Sequence, residues 1–124
     1  MKNIWGNNKI GEDTKIGAFC DIGEVDIGYG VNIQCLVSIP PKWKIGNRVF
    51  IGPGVHLIND PKLDGNLVGG IIEDDVKIGA GAIIFPVTLG KGCKIGAGSV
   101  VLKDCNSGET YIGNPAKLYV KKSN

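Results

Sequence analysis

The sequence predicts an all-β fold: a parallel β-helix of about five coils with one extruded loop. Three observations predict it. A bulky apolar residue recurs at every sixth position, glycine most often follows it, and the residue four places after it is small or β-branched. The count breaks once, between Leu57 and Ile72, and then resumes.

The anchors run Ile4, Ile10, Ile16, Ile22, Ile27, Ile33, Ile39, Ile45, Ile51 and Leu57, then Ile72, Ile78, Ile84, Leu89, Ile95 and Val101. No helical period gives a spacing of six, and simple strand alternation does not demand a bulky residue at every sixth place. Four places after the anchors stand residues such as Cys20, Val37, Val55, Val76, Ala82, Cys93 and Ser99, with Trp43 as an oversized exception. Glycines and polar residues between them suit tight turns. Each hexad therefore reads as a short strand plus a turn with two inward side chains. One such unit cannot bury its apolar side; stacked units can. Three strands per coil divide the sixteen anchors into a little over five coils, a prism about 25 Å tall at a rung spacing of ~4.8 Å.

Residues 1–124 make one domain at most, with a net charge of +2. That balance gives a nucleic-acid role no electrostatic support. No apolar run predicts a membrane span, and the N-terminus MKNIWGNNKIGEDTK predicts no secretion signal. Cys20, Cys93 and Cys105 are expected at small inward places, as free packed thiols of a cytoplasmic protein. No CxxC pair suggests zinc. A narrow prism has little core for its surface, so packing against identical copies is expected.

The pattern [Ile/Leu]-Gly-x-x-[small]-x, from Ile4 to Lys121, resembles the left-handed β-helix of hexapeptide-repeat acyltransferases. The left hand is what the resemblance implies; spacing does not set it, and general chain rules favour right-handed crossovers. The resemblance also implies a homotrimer with active sites in the clefts between subunits. Ile71 to Lys122 is similar to the acyl-CoA-binding end of bacterial sugar acetyltransferases, through IGAGA, IGAGSVVLKD and GNPAK. One glycine that the family usually carries after Pro86 is missing here. The implied co-substrate is acetyl-CoA, with no metal. Ala80 and Ala97 then offer smooth places one coil apart for a thin, amide-bearing arm. Lys103 and Lys117 match basic positions near the coenzyme's phosphates, and Lys121 and Lys122 either assist or solvate the tail. Singly, each of these lysines reads as a solvated charge; their joint occurrence with GNPAK carries the coenzyme reading.

The break in the count is a loop, Asn59 to Ile71, entered through His56, Asn59 and Asp60. Insertions in solenoids gather on one face, often the binding face. Histidine is the one side-chain type that titrates near neutrality, and His56 is the only one in the chain. Alternation points it outward, which suits a cleft base or a solvated surface residue equally. VFIGPGVHLIND resembles a segment of nucleotide-sugar N-acetyltransferases, with Asn59 and Asp60 on its Asn-Asp pair. PGVHL also resembles maltose-type O-acetyltransferases, whose loop histidine is absent here. An amine is the easier nucleophile, so N-acetylation of an amino sugar, nucleotide-linked, leads, with His56, Asp60 and Asn59 as catalytic candidates and Lys62 toward the acceptor. Sugar or glycan O-acetylation is second, and a non-catalytic structural trimer third. An Asx turn at Asn59–Asp60 is compatible with each. The three-histidine γ-type carbonic anhydrase set of this fold is not available to a chain with one histidine.

Overall fold

A computed structural model describes residues 1–121 of the chain; Lys122 lies outside the described residues. Every regular element in it is a strand, and all but the last two hold only two residues. The first residue of each pair points outward and the second inward, so Lys-Ile, Asp-Ile and Asn-Ile pairs place one polar and one apolar side chain on opposite sides.

The strands stack into three parallel faces of a left-handed β-helix. The first face holds Asn3–Ile4, Asp21–Ile22, Ser38–Ile39, His56–Leu57, Ile83–Ile84 and Val100–Val101. The second holds Lys9–Ile10, Asp26–Ile27, Lys44–Ile45, Ile71–Ile72 and Thr88–Leu89. The third holds Lys15–Ile16, Asn32–Ile33, Phe50–Ile51, Lys77–Ile78 and Lys94–Ile95, and is completed by Thr110–Gly113. Anchor pairs with anchor throughout, as in Ile78 with Ile51 below and Ile95 above. From Ile22 upward the anchors and most of the small inward residues form one buried column.

The prism has six coils rather than the five and a fraction given by anchor counting. The extra coil is closed by Cys105, which bridges to Leu89, and by Tyr111, which pairs with Ile95. Cys105 thus stacks on an anchor rather than in the small place expected of it. The count missed this coil because a thiol and a phenol do the work of isoleucine there. Ala116–Tyr119 then folds back antiparallel on Thr110–Gly113, with Asn114–Pro115 as the two-residue turn. The GNPAK sequence is therefore a hairpin that caps the upper end.

The loop leaves after Leu57 and returns at Ile71 without disturbing the stack: Ile71 and Ile72 pair with Lys44 and Ile45 below and with Thr88 and Leu89 above. Its return is tight. A Cβ on Gly69 would fall on the Lys42 carbonyl oxygen, and one on Gly70 would lie 2.5 Å from the Trp43 ring. Trp43 is oversized because Gly70, directly above it, contributes no side chain. Its indole N–H donates to the Ile58 carbonyl at 2.9 Å, satisfying a group at the loop's root. Because backbone cannot move aside as a side chain tip does, Gly69→Ala should cost about 1–3 kcal/mol, read as a lower urea midpoint with unchanged m-value.

Candidate active site

The loop-side candidates sit on and beside the first face. His56 is exposed on that face, with Ser38 below it and Ile83 above it in register. Its backbone N–H is fixed to the Ala82 carbonyl at 3.0 Å. No hydrogen bond from the described residues holds its imidazole, which leaves both ring nitrogens open to a ligand or a neighbouring chain.

Asn59 and Asp60 are occupied with the loop itself. The Asn59 side-chain amide donates to the Pro41 carbonyl at 3.2 Å, and the Asn59 backbone carbonyl accepts the Val68 N–H at 2.8 Å. The Asp60 carboxylate accepts the backbone N–H groups of Asp64 at 3.1 Å and Gly65 at 3.2 Å. This is the side-chain-to-backbone turn geometry to which Asp is suited. Lys62 is exposed on the same loop.

The coenzyme-side candidates sit on the neighbouring edge of the prism, the corner between the third and first faces. Ala18, Cys35, Pro53, Ala80 and Ala97 form one column there. The next residue of each upper coil donates its N–H to the column carbonyl below: Gly81 to Pro53 at 2.9 Å, Gly98 to Ala80 at 2.8 Å. Among the described residues this ladder leaves the N–H groups of Ala80 and Ala97 without a backbone acceptor, and Ala97, at its top, without a backbone donor to its carbonyl. Pro53 has no N–H to offer. Ala80 and Ala97 are both exposed, so the corner carries two N–H groups and one carbonyl without a backbone partner among the described residues above Pro53, which lies three residues before His56.

The left-handed position of the same corner is filled by Phe19 and Leu36 in the two lower coils, at φ +59° and +60°, and by Gly54, Gly81 and Gly98 above, at φ +72°, +70° and +70°. Phe19 is 66% exposed and Leu36 57%. A Cβ on Gly81 or Gly98 would meet nothing. Packing therefore does not require the upper glycines, since larger residues adopt the same backbone below. Their effect is a bare corner, onto which a thin ligand can lie.

The upper end of this corner runs into the GNPAK hairpin. An open groove of about 360 Å³ lies at the top of the prism, lined by Leu102 and Lys103 from the corner that follows the first face, by Tyr111, and by Pro115, Lys117 and Leu118 of the hairpin. Lys103 and Lys117 are thus brought to one cavity from two different elements. Asp104 shares the lining, but its carboxylate is engaged by the Thr88 N–H at 2.8 Å. Cys105, also in the lining, is buried, which pushes its thiol up to about 12 and keeps it protonated. Burial likewise pushes the Cys93 thiol up to about 11. Neither thiol is an available nucleophile. A more open depression of about 440 Å³ lies on the second face, among Lys44, Ile71, Glu73, Asp74 and Lys91. It is on a different face from His56. Arg48, the only arginine, is committed to Asp75 at 2.8 Å and stacks on Tyr29. Among the described residues no three His, Cys, Asp or Glu side chains gather as a metal site.

One residue of this site escaped the sequence: Tyr111 lines the groove from outside the hexad register and outside the motifs. That the N–H groups of Ala80 and Ala97 lack a backbone acceptor among the described residues follows from the pairing alone.

The comparisons agree with this architecture. The family model described as the hexapeptide repeat of succinyl-transferase matches residues 71–103. The bifunctional protein GlmU of Herminiimonas arsenicoxydans is 35% identical over 113 residues, covering 90% of this chain and 24% of that protein. A serine acetyltransferase of Bacillus licheniformis is 35% identical over 105 residues, covering 68% of this chain and 49% of that protein. The structure of PerB from Caulobacter crescentus, in complex with CoA and GDP-perosamine, matches with a TM-score of 0.85 at 25% identity, over 96% of this chain and 54% of that one. The chain thus spans half or less of the length of the curated relatives it matches. With its hexad register, its three-faced coils and these relatives in agreement, the chain belongs to the hexapeptide-repeat acyltransferase family.

Proposed function

We propose that the chain is an acetyl-CoA-dependent N-acetyltransferase for an amino sugar, nucleotide-linked, working in the cytoplasm as a homotrimer, with residues 1–124 folded as one β-helix domain. The observation that carries this reading is the bare corner. The N–H groups of Ala80 and Ala97, which have no backbone acceptor among the described residues, suit the amides of a pantetheine arm, and the groove at the top of the prism brings Lys103 and Lys117 together, which suits phosphates. PerB, with CoA and a nucleotide-linked sugar in its structure, supports the acceptor class. Ile83 and Val100, half-buried on the outward side of the first face, offer a neighbouring copy an apolar strip above His56.

In this reading His56 takes a proton from the acceptor amine as nitrogen bonds to the acetyl carbonyl carbon, and returns it to the departing thiol sulfur as the C–S bond breaks. Asn59 and Asp60 hold the loop, and Lys62 reaches an acceptor phosphate. O-acetylation of a sugar hydroxyl is the second reading. The unencumbered imidazole favours it, since a hydroxyl needs a positioned base.

Calorimetry should show acetyl-CoA binding, and no binding at millimolar ligand overturns the coenzyme reading. Lys103→Ala and Lys117→Ala should each raise the KM for acetyl-CoA more than that for its 3′-dephospho analogue; equal effects would mean that neither lysine holds the 3′-phosphate. A screen of amino-sugar nucleotides and plain sugars, read by thiol release, separates the two acceptor classes. Light scattering that gives a monomer mass would overturn the trimer.

A further inference from the structure

We propose that Ser99 is a positioning residue for the coenzyme: its buried hydroxyl holds the GNPAK hairpin in the place where the corner ladder ends. This rests on the coenzyme reading above. The small inward column at this corner runs Cys20, Val37, Val55, Ala82 and Ser99, all buried. Ser99, 1% exposed, is the only polar residue buried among the described residues. A hydroxyl in a column otherwise served by Val, Ala and Cys needs a reason, because a buried polar group costs free energy unless it is bonded.

The reason lies one coil up. In the lower coils Leu36, Gly54, Gly81 and Gly98 donate to the carbonyls of Ala18, Cys35, Pro53 and Ala80, at 2.8 to 3.0 Å, and so fix each coil on the one beneath. Above Ala97 the chain abandons that path. Gly113 adopts φ +105°, and the chain reverses through Asn114–Pro115 into Ala116–Tyr119. Among the described residues no backbone acceptor of the coil beneath takes the Gly113 N–H. Instead the Gly113 N–H donates to the Ser99 hydroxyl oxygen at 3.1 Å. Gly113 stands in register over Ala97, a place to which the ladder gives no acceptor, and Ser99 supplies one. Gly113 leads directly into the turn that carries Pro115 and Lys117, both lining the groove. The hydroxyl acts on the groove through Gly113, without touching the ligand.

The test compares Ser99→Thr with Ser99→Val in the full chain. The two side chains share a shape and differ in the hydroxyl, and Val already occupies the same place at Val37 and Val55. Ser99→Val should speed hydrogen exchange at the Gly113 amide by about tenfold and raise the KM for acetyl-CoA by about five- to tenfold, the size of one buried hydrogen bond. Its kcat should stay within about twofold, and Ser99→Thr should restore both readouts. Ser99→Ala, free of any added bulk, should behave as Ser99→Val. A faster-exchanging Gly113 with an unchanged KM would overturn the assignment, as would Thr and Val variants that behave alike. Should the unaltered protein bind no acetyl-CoA in calorimetry, the coenzyme reading falls and takes this assignment with it. Slow Gly113 exchange in that same protein would show that the hydrogen bond itself is present, which tells the two failures apart.

Discussion

His56→Ala is expected to lower kcat by about 10²–10⁴-fold, the usual worth of a positioned general base, while acetyl-CoA binding measured by calorimetry stays as it was. The expectation comes from position. The residue is held by its backbone on the first face, between Ser38 and Ile83, three residues after the Pro53 on which the bare corner ends. A thioester lying down that corner would therefore present its carbonyl toward the imidazole. Asp60→Asn should behave differently. The carboxylate is engaged by the Asp64 and Gly65 N–H groups, and an amide oxygen can still accept from them. Its kcat should hold within about fivefold, far less than a lost base would take. If Asp60→Asn loses the larger factor and His56→Ala does not, the two roles are exchanged. If neither loses it, neither side chain is the base.

Trp43→Ala is expected to destabilise the fold by about 3–5 kcal/mol, as large-to-small changes in a closed core do. Trp43 is 2% exposed and fills the space under Gly70 that the loop's return leaves open. Truncation creates a void that the rungs above and below cannot close, because they are fixed by the pairing of Lys44 with Ile71 and of Ile71 with Thr88. It also strips the Ile58 carbonyl of its indole donor. Trp43→Phe separates the two contributions: most of the ring stays, the donor goes, and the expected loss is about 1–3 kcal/mol. Urea unfolding at one fixed protein concentration checks both, since assembly makes stability depend on concentration. A loss below about 1 kcal/mol for Trp43→Ala would mean that the coil closes without the ring.

The hexad count by itself determined that the chain stacks in three faces, which side chains turn inward, and where the loop leaves. It could do so because each rung repeats the same demand, an apolar anchor above an apolar anchor, and repetition is visible in a string. His56 stood out as the only histidine, and Ala80, Ala97, Lys103 and Lys117 came from the resemblance of IGAGA, VLKD and GNPAK to the family's motifs. Tertiary structure alone decided the features that occur once. The sixth coil closes on Cys105 and Tyr111, which carry no anchor signature. Trp43 is large because Gly70 above it is empty, and Ser99 is polar because the Gly113 N–H, at the start of the hairpin turn, donates to it. Lys103 and Lys117 share a groove because a hairpin runs antiparallel to everything below it. Each of these depends on which backbone group is left unpaired when a regular stack is interrupted. That is a property of neighbours in space, one coil away, and no periodicity in the sequence records it.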